Sequence, residues 1–99
     1  MLNVLWFKAD GGAEKYIEYL RAAGPFVAKH GGKLDGMYVP EADIIGHFDA
    51  DLVFFVEWPS QKTFADFIED PGYSAVSHLR DEAIKDSLLI RCKKQPAKK

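Results

Sequence analysis

The spacing of apolar residues along the chain changes several times between a strand-like and a helical pattern. Short apolar runs predict strands at residues 2–9, 33–39 and 86–92, and a further strand inside "DADLVFFVEW", residues 49–58. Segment 42–48 either continues the second strand or forms a short piece of its own. Apolar positions at helical spacing predict helices after the first strand and between the last two strands.

The first helix is predicted from Ala13 to the HGG motif at residues 30–32, because glycine accepts the left-handed conformation that ends helices. Its apolar stripe has helical spacing and comprises Tyr16, Ile17, Leu20, Ala23 and Val27. Gly24 and Pro25 fall inside this stripe. We expect the helix to kink or divide there, since proline removes a backbone donor and clashes with the preceding turn.

Two further helical segments precede the final strand. Ser60 is a suitable N-cap for a helix whose apolar face is Phe64, Phe67 and Ile68. Pro71 suits a first helical position and begins a last helix. That helix carries one stripe, which comprises Tyr73, Val76, Leu79, Arg80 and Ala83.

The order of these elements is strand, helix, strand, strand, helix, strand. It predicts an α+β fold of the ferredoxin-like βαββαβ type, with an antiparallel sheet and two helices on one of its faces. A chain of 99 residues has room for one modest core, so we assign residues 1–92 to a single domain. Residues 93–99, "KKQPAKK", have no periodicity and are predicted to be a basic solvated tail.

Composition and charge narrow the class of protein. With 47% hydrophobic and 28% charged residues, the chain is globular rather than disordered. Its formal net charge of -2 provides no general attraction to nucleic acid or to an anionic membrane. The single cysteine, Cys92, excludes an internal disulfide and fits a reducing compartment. The N-terminal residues do not resemble a signal peptide, so we expect a cytoplasmic protein that binds neither nucleic acid nor membrane.

Both faces of the predicted sheet are apolar. Alternate residues of a strand point to opposite faces. One face of the third strand carries Leu52, Phe54, Val56 and Trp58. The other face carries Val53 and Phe55, followed by Glu57. Two helices cover only one face, and soluble monomers seldom leave a contiguous apolar patch open. We therefore predict a homodimer in which two sheets pack face to face.

RNA-recognition modules share this order of elements and are an alternative. The run "FFVEW", residues 54–58, is similar to the end of their third strand. Their signature has a basic residue and a glycine ahead of the aromatics, where this chain has Asp51 and Leu52. Val53 does not stack on a base, and a net negative charge opposes phosphate binding. The homodimer is the favoured interpretation.

Five short pieces of sequence stand in a distinctive order between residues 3 and 92. They are "HGG" at 30–32, Gly46, "VEWPS" at 56–60, "DPGY" at 70–73, and Arg80. On these pieces the chain resembles the family catalogued as domain of unknown function 1330, within the dimeric α+β barrel superfamily. Trp58 stands where that family usually has phenylalanine.

This resemblance implies a pair of ferredoxin-like subunits that form an α+β barrel. It also implies a ligand pocket between the sheet and the helices of each subunit. The superfamily includes cofactor-free monooxygenases, isomerases and haem-degrading enzymes, so the fold by itself selects no reaction.

Glu57 and Arg80 are the predicted centre of the site. Arg80 belongs to the apolar stripe of the last helix, where an unpaired guanidinium is costly, and Glu57 is the strand acid best placed in sequence to accept from it. The pair is either structural or catalytic. In the catalytic version, Arg80 binds a substrate carboxylate or enolate and Glu57 acts as acid or base. An exposed pair without a role is the third alternative.

The remaining ligand-binding candidates are aromatic or basic. Tyr16, Tyr73 and Trp58 either pack as core or interface aromatics or line the predicted pocket, with the tyrosine hydroxyls turned inward. His30 stands in the last turn of the first helix, where an imidazolium suits the helix dipole. It either caps that helix or transfers protons at the mouth of the pocket.

The middle of the chain holds a weak metal pattern. His47, Asp49 and Asp51 are spaced two apart and would share one side of an extended segment. Aspartates before a strand are more often turn formers, and no further histidine or cysteine stands nearby, so we predict no metal. Phosphate loops and dinucleotide fingerprints are absent from the sequence, and we expect no cofactor.

The predicted function is the binding of a small organic acid or oxidisable aromatic, with cofactor-independent turnover as a stronger version. The alternative is a non-catalytic dimeric module in which Glu57 and Arg80 are only structural. The sequence leaves open whether the protein is an enzyme.

Overall fold

A computed structural model describes residues 1–96 of the chain. The elements in this range are, in chain order, β1 (Leu2–Phe7), α1 (Gly12–Lys29), β2 (Lys33–Tyr38), β3 (Leu52–Glu57), α2 (Gln61–Glu69), α3 (Pro71–Val76), α4 (His78–Ala83) and β4 (Ile84–Ile90). These strands form one antiparallel sheet in the order β2-β3-β1-β4. The helices pack against one of its faces. The predicted α+β, ferredoxin-like arrangement is confirmed.

The register of the sheet gives each strand one face toward the helices and one open face. The side chains on the helix side include Asn3, Leu5, Leu34, Phe54, Val56, Ser87 and Leu89. The open face carries Leu2, Val4, Val53, Phe55, Leu88 and Ile90. Phe55, Leu88 and Ile90 are exposed there. The open face is therefore an apolar surface, and the alternation predicted for the third strand is confirmed.

The core lies between the sheet and the helices. Its buried cluster comprises Leu5, Tyr16, Tyr19, Ala23, Leu52, Phe54, Phe67, Tyr73 and Ala83. Five of these residues are aromatic and three of the five are tyrosines. The core therefore contains phenol hydroxyls, which need either a hydrogen-bond partner or access to solvent.

Helix α1 differs from its prediction in two ways. It runs through Pro25 without interruption, so the predicted division there does not occur. Gly24 has no Cβ to meet the proline ring, which removes the clash that usually excludes helical backbone before a proline. The buried face of α1 includes Tyr19, whereas Ile17, assigned to the apolar stripe, is about half exposed. The true stripe repeats at positions 12, 16, 19 and 23.

The end of α1 at the HGG motif is confirmed. Gly31 has a φ angle of 84°, in the left-handed region that glycine adopts without strain. The Gly31 N–H donates to the Ala28 carbonyl at 3.0 Å, and the Gly32 N–H donates to the Val27 carbonyl at 2.9 Å. This pair of bonds is a Schellman motif, and it satisfies carbonyls that the end of a helix otherwise leaves free.

Helix α2 begins at the predicted cap. The Ser60 hydroxyl oxygen accepts from the Thr63 N–H at 3.1 Å, and the Thr63 hydroxyl oxygen accepts from the Ser60 N–H at 3.1 Å. The two bonds form a capping box, which satisfies two donors at the start of the helix.

The last predicted helix is two short helices, α3 and α4. Pro71 begins α3 as expected, with Asp70 as the N-cap. The chain tightens at Ser77, because the Arg80 N–H donates to the Ser77 carbonyl three residues back, at 3.0 Å. Ser77 nevertheless keeps helical backbone angles, so Tyr73 and Arg80 still reach the same cavity.

The connection between β2 and β3 has no regular secondary structure, so the strand piece considered at residues 42–48 does not form. Two aspartates attach the end of this connection to β1. The Asp49 Oδ1 accepts from the Trp6 Nε1 at 2.9 Å, and the Asp51 Oδ2 accepts from the backbone N–H of Phe7 at 2.8 Å.

Beyond β4, residues 91–96 are exposed and irregular, and Cys92 carries a free, exposed thiol. The last three residues of the predicted basic tail, 97–99, lie outside the described residues. In the part of the chain that is described, no helix combines the length and apolar character needed to cross a membrane.

Candidate functional site

A cavity of about 530 Å³ lies between the sheet and the helices. Its aromatic and larger aliphatic walls are formed by Tyr16, Tyr19, Leu20, Val27, Leu34, Phe54, Val56, Trp58, Phe64, Phe67, Ile68, Tyr73 and Leu89. The polar side chains besides the tyrosines are those of Asn3, Arg80 and Ser87. A mostly apolar cavity of this size with a few polar groups is typical of small-molecule sites.

Arg80 of α4 lines the cavity on the side of β4. Its Nη2 donates to the Ser87 Oγ at 3.5 Å, which is long for a hydrogen bond. It makes no ion pair with any carboxylate in residues 1–96. A guanidinium keeps its positive charge in proteins and has five N–H donors. Arg80 therefore presents charge and free donors to the cavity.

Three tyrosines bring phenol groups to the same cavity. The hydroxyl oxygens of Tyr19 and Tyr73 lie 3.0 Å apart and share a hydrogen bond. Burial raises the pKa of Tyr16 and of Tyr19, and the hydrogen bond to Tyr73 raises the pKa of Tyr19 further. The positive charge of Arg80 opposes both shifts but is the weaker effect. Both phenols are therefore neutral at physiological pH.

An aromatic wall closes the cavity on the side of β3. The ring centroid of Trp58 lies 5.4 Å from that of Phe64 and 5.0 Å from that of Phe67, and the Phe67 centroid lies 4.1 Å from that of Tyr73. Strand β1 separates β3 from β4 in the sheet, so this wall and Ser87 lie toward different sides of the cavity. The site thus has a charged side and an aromatic side.

The structure brings together four of the six predicted site residues. Tyr16, Tyr73, Trp58 and Arg80 all line the cavity. Glu57 and His30 are not among its lining residues.

The predicted pairing of Glu57 with Arg80 is wrong. Glu57 is exposed and lines a different cleft, of about 560 Å³, together with Asp35 and Arg91. Its side chain belongs to the open face of β3, because residues 54 and 56 face the helices and residue 57 follows the alternation. The sheet itself separates the carboxylate from Arg80.

His30 lies next to the cavity rather than in it. Its Nε2 is 2.8 Å from the Asp70 Oδ2, which also accepts from the Lys29 Nζ at 3.0 Å. The Asp70 Oδ1 accepts from the Gly72 N–H at 2.8 Å. The bonds from His30, Lys29 and Gly72 hold the pKa of Asp70 well below its ordinary value. This cluster joins the end of α1 to the start of α3.

The residues of the weak metal pattern have other contacts. Asp49 and Asp51 bind β1, and the hydrogen bond from Trp6 lowers the pKa of Asp49. His47 is fully exposed and lies 3.8 Å from Asp43. Among residues 1–96 there is no group of three histidines, cysteines or carboxylates placed to hold a metal ion.

Sequence reasoning missed Tyr19, Asn3 and Ser87 as lining residues. Tyr19 lies three positions after Tyr16 and four before Ala23. This helical spacing puts it on the same face of α1 and is the signal that could have identified it. Asn3 and Ser87 are polar residues on the helix side of β1 and β4. A polar residue on an otherwise apolar strand face is the signal that could have identified them. Both line the same cavity as Arg80, and the Ser87 Oγ lies 3.5 Å from the Arg80 Nη2.

Comparison with known proteins gives one family and several similar structures. A family model described as a domain of unknown function (DUF1330) matches residues 11–91. The RPA0582 protein of unknown function from Rhodopseudomonas palustris is 33% identical, with a TM-score of 0.88 and coverage of 97% of this chain and 81% of that chain. No match is found among curated proteins.

Two more distant structures share the fold alone. The protein At3g17210 from Arabidopsis thaliana is 16% identical, with a TM-score of 0.76 and coverage of 98% of this chain and 95% of that chain. An uncharacterized NIPSNAP domain protein from Burkholderia xenovorans is 14% identical, with a TM-score of 0.64 and coverage of 97% of this chain and 96% of that chain.

Proposed function

The chain belongs to the DUF1330 family, and we propose that its cavity binds a small organic acid with an aromatic or otherwise apolar body. The observation that carries this proposal is Arg80, a half-buried guanidinium in an apolar cavity that makes one long hydrogen bond and, within residues 1–96, no ion pair. Withdrawing such a charge from water is costly unless an anion accompanies it. A ligand carboxylate would supply that anion and accept two parallel N–H bonds.

The walls of the cavity favour an apolar body on this acid. The aromatic side, formed by Trp58, Phe64 and Phe67, offers ring faces and edges for stacking. A volume of about 530 Å³ falls in the range of sites for drug-sized ligands, roughly 300–1,000 Å³. A molecule with one carboxylate and one or two rings fits this description better than acetate or a polyanion does.

Binding of carboxylates tests this proposal directly. Isothermal titration of 2-naphthoate and of its neutral analogue 2-naphthamide would be compared for the wild type, Arg80→Gln and Arg21→Gln. Arg21 is an exposed arginine of α1 outside the cavity and serves as the matched control. A charge-assisted hydrogen bond contributes about 1.5–3 kcal/mol, so Arg80→Gln should weaken naphthoate binding by about 10- to 100-fold.

Two results would contradict the proposal. One is naphthoate binding that is equally tight in Arg80→Gln and the wild type, with both proteins folded by circular dichroism. The other is the absence of naphthoate binding to the wild type at millimolar concentrations.

Turnover of the ligand is the stronger form of the proposal. Glu57 does not reach a ligand bound at Arg80 in the same subunit, because the sheet lies between them. Any proton transfer within the cavity would involve the phenols or an atom of the ligand. Mass spectrometry of a bound acid recovered after incubation in air distinguishes the two forms. Unchanged acid favours the non-catalytic binding module, and a product favours cofactor-independent turnover.

We also propose that the protein is a homodimer with the open faces of two sheets in contact. The support is the apolar open face, on which Phe55, Leu88 and Ile90 are exposed. Contact between two copies of this surface about a two-fold axis would remove both from water. Light scattering after size-exclusion chromatography should give the mass of two chains for the wild type and of one chain for Phe55→Arg. A wild-type monomer at micromolar concentration would refute the dimer.

A further inference from the structure

We infer that the ligand of the cavity is an oxo acid, with a carboxylate for Arg80 and a carbonyl oxygen for the hydroxyl of Tyr16. This inference rests on the proposed function and adds a second recognition point to it. The observation behind it is the hydroxyl of Tyr16. Tyr16 is 3% exposed and lines the cavity, and its hydroxyl makes no hydrogen bond within residues 1–96.

Such a hydroxyl is unusual in a protein interior. Buried polar groups almost always have a partner, since an unsatisfied one forfeits its hydration. No side-chain polar atom of the described residues is both fully sealed and unpartnered. The Tyr16 hydroxyl therefore keeps access to the space of the cavity, and a ligand that fills the cavity must either satisfy it or leave it unpaired.

The other two phenols of the cavity have a partner already. Tyr19 and Tyr73 share one hydrogen bond at 3.0 Å. Only one of these two hydroxyls donates in that bond, so the pair keeps one free O–H, whereas the Tyr16 hydroxyl has no partner at all within residues 1–96. Burial raises its pKa, so it enters the interaction as a neutral O–H donor rather than as a phenolate.

The ring of Tyr16 is held in place by its neighbours. Its centroid lies 5.3 Å from those of Phe7 and Tyr19 and 6.5 Å from that of Phe54. A donor on a ring packed from several sides loses little freedom when a ligand binds, which favours affinity and selectivity.

These two points define the class of ligand. The Tyr16 O–H needs an acceptor on the ligand, and a ketone oxygen supplies one. The guanidinium prefers a carboxylate, and the aromatic side of the cavity prefers a ring. An aryl oxo acid combines all three. A simple aryl acid offers no acceptor besides the carboxylate that Arg80 binds.

Matched pairs of acids test this inference. The probes are 4-oxo-4-phenylbutanoate with 4-phenylbutanoate, and 5-oxo-5-phenylpentanoate with 5-phenylpentanoate; each pair differs by one carbonyl. In the wild type, at least one oxo acid should bind about three- to tenfold more tightly than its match, the usual contribution of one net hydrogen bond. Tyr16→Phe should abolish this preference and leave the affinity for the plain acid within a factor of about two.

Tyr38→Phe is the control variant, because Tyr38 is an exposed tyrosine outside the cavity. It should keep the preference of the wild type. A second measurement does not depend on how Tyr16→Phe folds. The infrared stretching band of the bound ketone in the wild type should lie at lower frequency than in an apolar solvent, because the carbonyl accepts a hydrogen bond.

The outcomes separate this inference from the proposed function. If the plain acids bind through Arg80 but neither oxo acid is preferred, the inference fails and the proposed function stands. If the preference persists in Tyr16→Phe, or the ketone band is not shifted, Tyr16 is not the donor and the inference fails. If neither member of either pair binds the wild type, both the inference and the proposed function are refuted.

Discussion

Replacement of Gly12 by alanine sets local helix propensity against a tertiary contact. Gly12 is the first residue of α1 and is buried. A Cβ at this position would lie 2.6 Å from the carbonyl oxygen of Ala83 and 3.1 Å from the Cβ of Phe7. The Ala83 oxygen belongs to the backbone and already accepts the Lys8 N–H at 2.9 Å, so it has no rotamer through which to move away.

The expected magnitude follows from two opposing terms. Helix propensity favours alanine over glycine by up to about 1 kcal/mol, so local reasoning predicts a more stable protein. Overpacking costs about 1–3 kcal/mol, and a contact of 2.6 Å with backbone calls for the upper part of that range. We expect Gly12→Ala to lower the free energy of unfolding by about 1–2 kcal/mol. In a domain of this size the Tm falls by roughly 4–8 °C for each kcal/mol.

Thermal and urea unfolding followed by circular dichroism measure this effect. The control is Ala13→Gly, at the exposed neighbouring position of the same helix, which should cost about 0.5–1 kcal/mol through propensity alone. The reasoning is refuted if Gly12→Ala melts at or above the temperature of the wild type. A changed m value would instead point to an altered denatured state or a loss of two-state unfolding.

Three further predictions concern stability. Asp70 has a lowered pKa in the folded state because of His30 and Lys29. Its contribution to the free energy of unfolding is therefore present at neutral pH and is lost as the pH falls below the ordinary carboxyl pKa of about 3.9. In Asp70→Asn the urea midpoint should decline less steeply in acid than in the wild type. Ser60→Ala removes the capping box and should cost about 0.5–2 kcal/mol in urea unfolding. Leu5→Ala truncates a side chain that is 0% exposed on a central strand and leaves a cavity there. It should lower the free energy of unfolding by about 2–5 kcal/mol in the same assay.

Each of these predictions has a result that contradicts it. The prediction for Asp70 is contradicted if the urea midpoint of Asp70→Asn falls in acid as steeply as that of the wild type. Asp66→Asn, which removes an exposed carboxylate, is the control. For the cap, it is an unchanged midpoint in Ser60→Ala. For the core, it is a loss below about 1 kcal/mol in Leu5→Ala, which would mean that the neighbours collapse into the space.

The candidate site was predictable where one strand or one helix decides the outcome. Tyr16 and Arg80 were placed toward the cavity from helical spacing, and Trp58 from strand alternation. Alternation along β3 also assigns Glu57 to the face opposite Phe54, so the predicted pair with Arg80 conflicts with it. A residue near the end of a strand stays on the face of the sheet that alternation gives it.

Other contacts in and beside the cavity depend on how one element packs on another. Ser87 and Arg80 are seven residues apart on the adjacent elements β4 and α4, and their contact depends on how α4 sits over its own following strand. Asp70 meets His30 because the start of α3 packs at the end of α1. Neither pairing leaves a periodic signal, since each side chain is only one polar residue in its own segment.

The sequence by itself determined the type and order of the strands and helices, the two faces of β3, the end of α1 and the start of α2. These features follow from interactions within a few residues, such as alternation in a strand, the glycine cap of the HGG motif and the capping box of Ser60. Only the tertiary structure decided that a side chain at Gly12 would meet the Ala83 carbonyl, that Arg80 has no carboxylate partner among residues 1–96, and that an apolar cavity lies between sheet and helices. Those features arise from surfaces far apart in the chain, whose distances are set when the core closes.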